Sequence, residues 1–238
     1  ALRHAAGLYR AAEGVLMHRY ALLIILMAAS ALVPESIGVV GVGTISSAAV
    51  RGLCRSSNAQ FVLSPRNAAK AQALEQEFES VRIATDNQAV VDAAQVVFIA
   101  VLPTQAPDVL RDLRFGPDHT VVSLMAGVSS EALAGMLGGA VPLQNIARAI
   151  PLPPVKDHAG VTIVCPKHEE TVRVFNLLGT AVAVDDEATM NKMVICTCAM
   201  GAYYQFLKTC YEFLVEKEGV VDLGKGQAGA RSFSMSGT

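Results

Sequence analysis

From residue 37 the chain alternates short apolar runs with longer stretches whose apolar positions recur every three to four residues. The runs, rich in β-branched residues, cover 37–42 (IGVVGV), 60–64 (QFVLS), 96–101 (VVFIAV) and 120–125 (TVVSLM). Three more follow within 141–150 (VPLQNIARAI), 160–165 (GVTIVC) and 181–185 (AVAVD). Helical spacing marks 66–80 (RNAAKAQALEQEFES) and 168–179 (HEETVRVFNLLG). Strands alternating with helices predict βαβ units, and strands apolar on both sides predict a sheet covered on both faces. The fold class is therefore α/β, a mostly parallel sheet. After Asp186 the character changes, and 187–219 is a mainly helical stretch whose one strong breaker is Gly201. The tail 220–238 is rich in Gly and Ser and reads as loose or ordered by a partner. The chain divides into an extension over 1–36, an α/β domain over 37–185 and a helical, dimerisation-type segment over 186–238.

Within the extension, residues 1–20 carry Arg3, Arg10 and Arg19 against Glu13, and an uncharged run over 21–33 (ALLIILMAASALV) follows, too short to span a bilayer. It reads either as one or two helices packed on the body or as a targeting-like segment. The expected location is cytoplasmic, or mitochondrial if 1–36 acts as a transit segment. The net charge of −2 offers no basic footprint for nucleic acid or an anionic membrane. Five scattered cysteines suggest free thiols in a reducing compartment. Cys196 and Cys198 lack a second Cys/His pair nearby, so no metal site is expected.

The run at 37–42 leads into Gly41-Val42-Gly43-Thr44-Ile45-Ser46 and a small-residue stretch with helical character. At the first strand-to-helix turn, one glycine permits the tight turn, and the second lets backbone N–H groups approach a pyrophosphate at the helix N-terminus. Ser46 at the third position is small enough for close helix–strand packing. This predicts a Rossmann-like, dinucleotide-binding α/β domain with Gly41, Gly43, Thr44 and Ile45 around the phosphates. An NAD-preferring site has an acid at the end of the second strand, about 20 residues on. Here the stretch is VLSPRN, and Ser64 and Arg66 are suited to a ribose 2′-phosphate, which argues for NADP.

With these motifs placed, the chain resembles the Δ1-pyrroline-5-carboxylate reductase family, which reduces a cyclic imine to proline. The resemblance runs from about residue 37 to 219. It rests on the glycine loop with SAAVRGL and on SPRNAAKAQAL. It continues through DNQAVVDAAQVVFIAVLP, VVSLMAGVSSEAL, IARAIPLPP and AVAVDDEATMNKMVICTCAMGAYYQF, in order and with matching spacing. It implies cofactor contacts at Asn87, at Ala100, Val101, Leu102 and Pro103, and at Ala126 and Gly127. It also implies NADPH as cofactor, a small imine substrate and a homodimer or larger homo-oligomer.

The departures cluster on the substrate side. The family's lysine before proline is Leu102, its asparagine after Met-Pro is Leu152, and its Ser-Gly-Ser-Gly-Pro loop is Thr197-Cys198-Ala199-Met200-Gly201. Apolar bulk replaces polar and small groups, and Met200 takes space that a small polar substrate needs. The family continues past the equivalent of Thr238, with helices that intertwine two subunits and a loop that holds the substrate carboxylate. Without them, an apolar face of 187–219 needs cover, from 1–36 or from a partner. Imine reduction is mostly positioning, and a protonated imine needs no strong general acid. Thr197 is the one candidate for a hydroxyl near the substrate, the alternative being an ordinary helix-interior threonine. Tyr203 reads as packing, and Arg148 as paired with a nearby acid rather than with a carboxylate ligand. His119, His158 and His168 read as solvated surface residues. Three functions stay open: reduction of pyrroline-5-carboxylate or a related cyclic imine, reduction of a more apolar imine or ketone, and a non-catalytic NADP-binding or interaction role.

Overall fold

The computed structural model describes residues 34–214. The expectations for 1–33 and for 215–238 lie outside the described residues, as do those for the side chains at 198–201 and 204. Eight strands form one sheet: β1 (Ser36–Val40), β2 (Gln60–Leu63), β3 (Val81–Ile83), β4 (Val96–Ile99), β5 (Thr120–Ser123), β6 (Ile146–Ile150), β7 (Val161–Cys165) and β8 (Thr180–Ala183). The helices are α1 (Thr44–Ser56), α2 (Ala68–Glu77), α3 (Asn87–Asp92), α4 (Ala106–Leu110), α5 (Ser130–Met136), α6 (Glu169–Asn176) and α7 (Glu187–Glu212).

The strand order is β3-β2-β1-β4-β5-β6-β7-β8. Every neighbouring pair is parallel except β6 with β7. The β6–β7 link contains a short 3-10 helix, Pro153–Asp157, and no crossover helix. It is too short to carry the chain back for a parallel pairing. β3 was not among the expected strands: it has three residues and buries one, Val81, so it leaves little pattern to read.

Alternate residues along each strand supply two cores. On one face Val39, Phe61, Leu63 and Phe98 meet Leu53 of α1, Leu74 of α2 and Phe175 of α6. On the other, Val40, Val62 and Ile99 meet Val90 of α3, Leu110 of α4 and Leu133 of α5. Phe98 and Phe175 stack with ring centroids 5.8 Å apart. Gly52 lets α1 lie against the 3-10 turn: a Cβ there would fall 2.5 Å from the Val155 carbonyl oxygen and also strike Leu178. A smaller cluster of Ile150, Ile163, Cys165 and Met190 seats the start of α7 on the far end of the sheet.

Two histidines depart from the expected solvated role. His119 is partly buried, with Nε2 3.2 Å from the Val91 carbonyl and Nδ1 accepting from the Gly116 N–H at 2.8 Å. His168 is the N-cap of α6, its Nδ1 accepting from the Thr171 N–H at 3.3 Å. Only a neutral imidazole can accept there. Burial pushes the His168 pKa below its ordinary value, with Arg173 pushing the same way and Glu170 and Glu169 opposing. Because the folded pKa lies below the unfolded one, the unfolded chain takes up protons first as pH falls. The His168 contribution is thus intact above about pH 6.5 and is lost below it. A His168→Asn variant, which keeps a cap but cannot titrate, is expected to lose less melting temperature than the parent between pH 7.5 and 5.5.

Candidate functional site

β1 through β6 run parallel, so their carboxyl ends share one edge of the sheet, and the order reverses between β1 and β4. In open α/β sheets that switch point is where ligands bind. The glycine loop lies there, between β1 and α1.

Gly41 sits at φ +97°, and a Cβ on it would fall 2.7 Å from the Ala100 carbonyl oxygen. Glycine at 41 is therefore demanded by the chain itself. Gly43 is different. As N-cap of α1 it has φ −96°, which any residue adopts, and its nearest neighbour to a Cβ would be Ser46 Oγ at 4.0 Å. Nothing in the fold fills that space, and no side chain caps the first N–H groups of α1. An open cradle before uncapped helix N–H groups fits a pyrophosphate, by hydrogen bonding and by the helix dipole.

Side chains from α1 and from the segment joining β2 to α2 hold the loop. Ser64, 1% exposed, accepts from the Gly41 N–H at 3.0 Å. Ser46 Oγ accepts from the Gly43 N–H at 2.8 Å and donates to the Gly41 carbonyl at 2.9 Å. Asn67 donates to the Val42 carbonyl at 3.0 Å. Ser64, expected at a 2′-phosphate, is thus buried beneath the loop and committed to its shape. Arg66 is exposed and makes no ion pair with any described residue. Lys70, unremarked in the sequence, reaches back from α2 to donate to Thr44 Oγ1 at 3.0 Å. The signal available for it was a second cation close after Arg66, in the first turn of the helix that follows β2.

The other candidates line the same edge. Asn87 opens α3, half-buried, with its side chain in no hydrogen bond to a described residue. Ala100, Val101, Leu102 and Pro103 leave the end of β4, and Leu102 is 62% exposed. Ala126 and Gly127 are exposed in the segment after β5, Gly127 at φ +79°. Thr197 lies apart, on α7. Its hydroxyl donates to the Val194 carbonyl at 2.7 Å and shares no hydrogen bond with the loop.

Arg148 is paired, as expected: 2% exposed, with Nη1 2.9 Å from Glu187 Oε2. The adjacent N-cap of α7, Asp186, accepts from the N–H and hydroxyl of Thr189, which hold its carboxyl below the usual range. Burial pushes the nearby Cys165 thiol up. Among the described residues no three His, Cys, Asp or Glu side chains are grouped to hold a metal. No helix there is long and apolar enough to cross a membrane.

Comparisons with known proteins bear on the fold that carries this site. A sequence family described as "NADP oxidoreductase coenzyme F420-dependent" matches residues 36–127. Pyrroline-5-carboxylate reductase 2 of Dictyostelium discoideum is 23% identical over 198 residues, covering 73% of this chain and 66% of that one. The chain thus spans about two thirds of that relative's length. The 1-pyrroline-5-carboxylate reductase of Streptococcus pyogenes shares the fold with a TM-score of 0.62 at 20% identity, over 83% of this chain and 73% of that one. A reductive aminase of Aspergillus terreus, solved with NADPH and ethyl levulinate, does so with a TM-score of 0.58 at 18% identity, over 79% and 68%. In the sequence of motifs along the chain this protein is similar to the pyrroline-5-carboxylate reductases, and in its sheet it shares their fold.

Proposed function

We propose that the chain binds NADPH along the carboxyl edge of β1, β2, β4 and β5 and reduces a cyclic imine, Δ1-pyrroline-5-carboxylate to proline being the first reading. The observation that carries it is Gly43, a glycine that the fold does not need and that leaves open the space a pyrophosphate would take. The uncapped N–H groups of α1 hold the pyrophosphate. Arg66 and Lys70 hold the 2′-phosphate, each as a charge-assisted donor. Asn87, the 100–103 segment and Ala126–Gly127 line the remaining path. When bound, the cofactor supplies the hydride, and the chain supplies position and exclusion of water.

Thr197 is the chain's candidate for orienting the imine. Its proton is committed to Val194, so toward a substrate its oxygen can only accept. That suits the N–H of a protonated imine. The exposed Ile195, Phe206, Phe213 and Leu214 on and just after α7 support assembly as a homo-oligomer.

Exposed Leu102 favours a second reading, reduction of a more apolar imine without a carboxylate. NADPH oxidation with pyrroline-5-carboxylate and, in parallel, with 1-pyrroline and 2-methyl-1-pyrroline separates the two. The first reading expects kcat/KM at least tenfold higher for the carboxylate substrate. The reverse order upholds the second.

A further inference from the structure

Glu187, the first residue of α7, ties three elements together through one carboxylate. Its Oε1 accepts from both the backbone N–H of Ser130 at 2.7 Å and the Ser130 hydroxyl at 2.8 Å. Its Oε2 pairs with Arg148 of β6. Ser130 opens α5 directly after the segment that carries Ala126 and Gly127. One side chain thus joins the candidate cofactor side of the cleft to the helix that bears Thr197.

Stability alone does not account for the arrangement. A buried ion pair rarely outdoes apolar residues of the same volume, because desolvation consumes the attraction. Here the pairing is also incomplete, since the buried Arg148 Nε has no hydrogen-bond partner. What the carboxylate does supply is direction: three donors from two elements fix where α7 starts and how it leaves the sheet. Thr197 stands ten residues further on, about 15 Å along the helix axis. A tilt of about 10° at Glu187 would move Thr197 by about 2.6 Å, and errors near 1 Å suffice to cost a hundredfold in rate.

We propose that Glu187 is a positioning residue: bridging Arg148 and Ser130, it sets α7 and Thr197 against the Ala126–Gly127 segment. The proposal rests on the imine-reductase reading above. Its test is the double variant Arg148→Met/Glu187→Met, which removes both charges and the bridge to Ser130 together and leaves no buried charge unpaired. The expected result is a melting temperature within a few degrees of the parent and an NADPH Kd within threefold. The kcat falls at least tenfold, KM for the imine rises, and the amides of 124–130 exchange at least tenfold faster. A double variant with parental kcat, KM and exchange overturns the proposal. If the parent turns over no imine, the reductase reading fails by itself. Amide exchange at 124–130 then decides this one, faster exchange upholding the coupling and unchanged exchange overturning it. Should the double variant not fold, Ser130→Ala, which keeps the ion pair, is read by the same measurements with the same meaning.

Discussion

Replacing Gly43 with alanine is expected to leave the fold standing and remove most of the affinity for NADPH. The backbone at 43 lies in a region open to any residue, and an added methyl meets nothing closer than Ser46 Oγ. Glycine as an N-cap is better than alanine by only about 1 kcal/mol, which bounds the stability loss. The methyl occupies the approach to the uncapped N–H groups of α1, where a pyrophosphate must come into hydrogen-bond contact. Losing two such charge-assisted bonds, each about 1.5–3 kcal/mol, raises Kd by about a hundredfold or more. Gly41→Ala fails differently. A left-handed φ costs about 1–3 kcal/mol, and the collision with the Ala100 carbonyl is with backbone that no rotamer change relieves. The expected Gly41→Ala protein melts well below the parent. Thermal melts and NADPH titration, run on both variants, separate a glycine kept for the chain from one kept for the ligand.

The double variant Arg66→Ser/Lys70→Ala is expected to weaken NADPH by about a hundredfold while leaving NADH within about threefold. Both cations lie on the α2 side of the loop, and Lys70 is anchored to Thr44, so their charge is delivered where β2 ends. NADH lacks the phosphate they would hold, so it loses only a weak, screened attraction. The parallel titration of both coenzymes is the check, because general damage to the loop would weaken NADH as well.

Much of this site was legible in the sequence. The β1 run, the glycine spacing and the absence of an acid after β2 are local patterns, and each falls where it was expected. Roles that depend on packing were not legible. Ser64 has the right chemistry for a phosphate, yet its hydroxyl lies beneath the loop and holds Gly41. Which way a strand-end side chain turns is decided by the pleat and its neighbours. Lys70 was hidden because its role depends on the reach of a long side chain across a loop. That Arg148 would pair with an acid was expected, but its partner, Glu187, lies on another element after two intervening strands. The break in parallel order at β7 came from the length of a connection whose endpoints no periodicity marks.

Steady-state oxidation of NADPH by the purified chain with Δ1-pyrroline-5-carboxylate, with NADH alongside, tests the reductase reading most directly. Turnover favouring NADPH is the expected result. A protein that binds NADPH and oxidises it with neither pyrroline-5-carboxylate nor the apolar cyclic imines would contradict it, and leave the glycine loop serving a binding role.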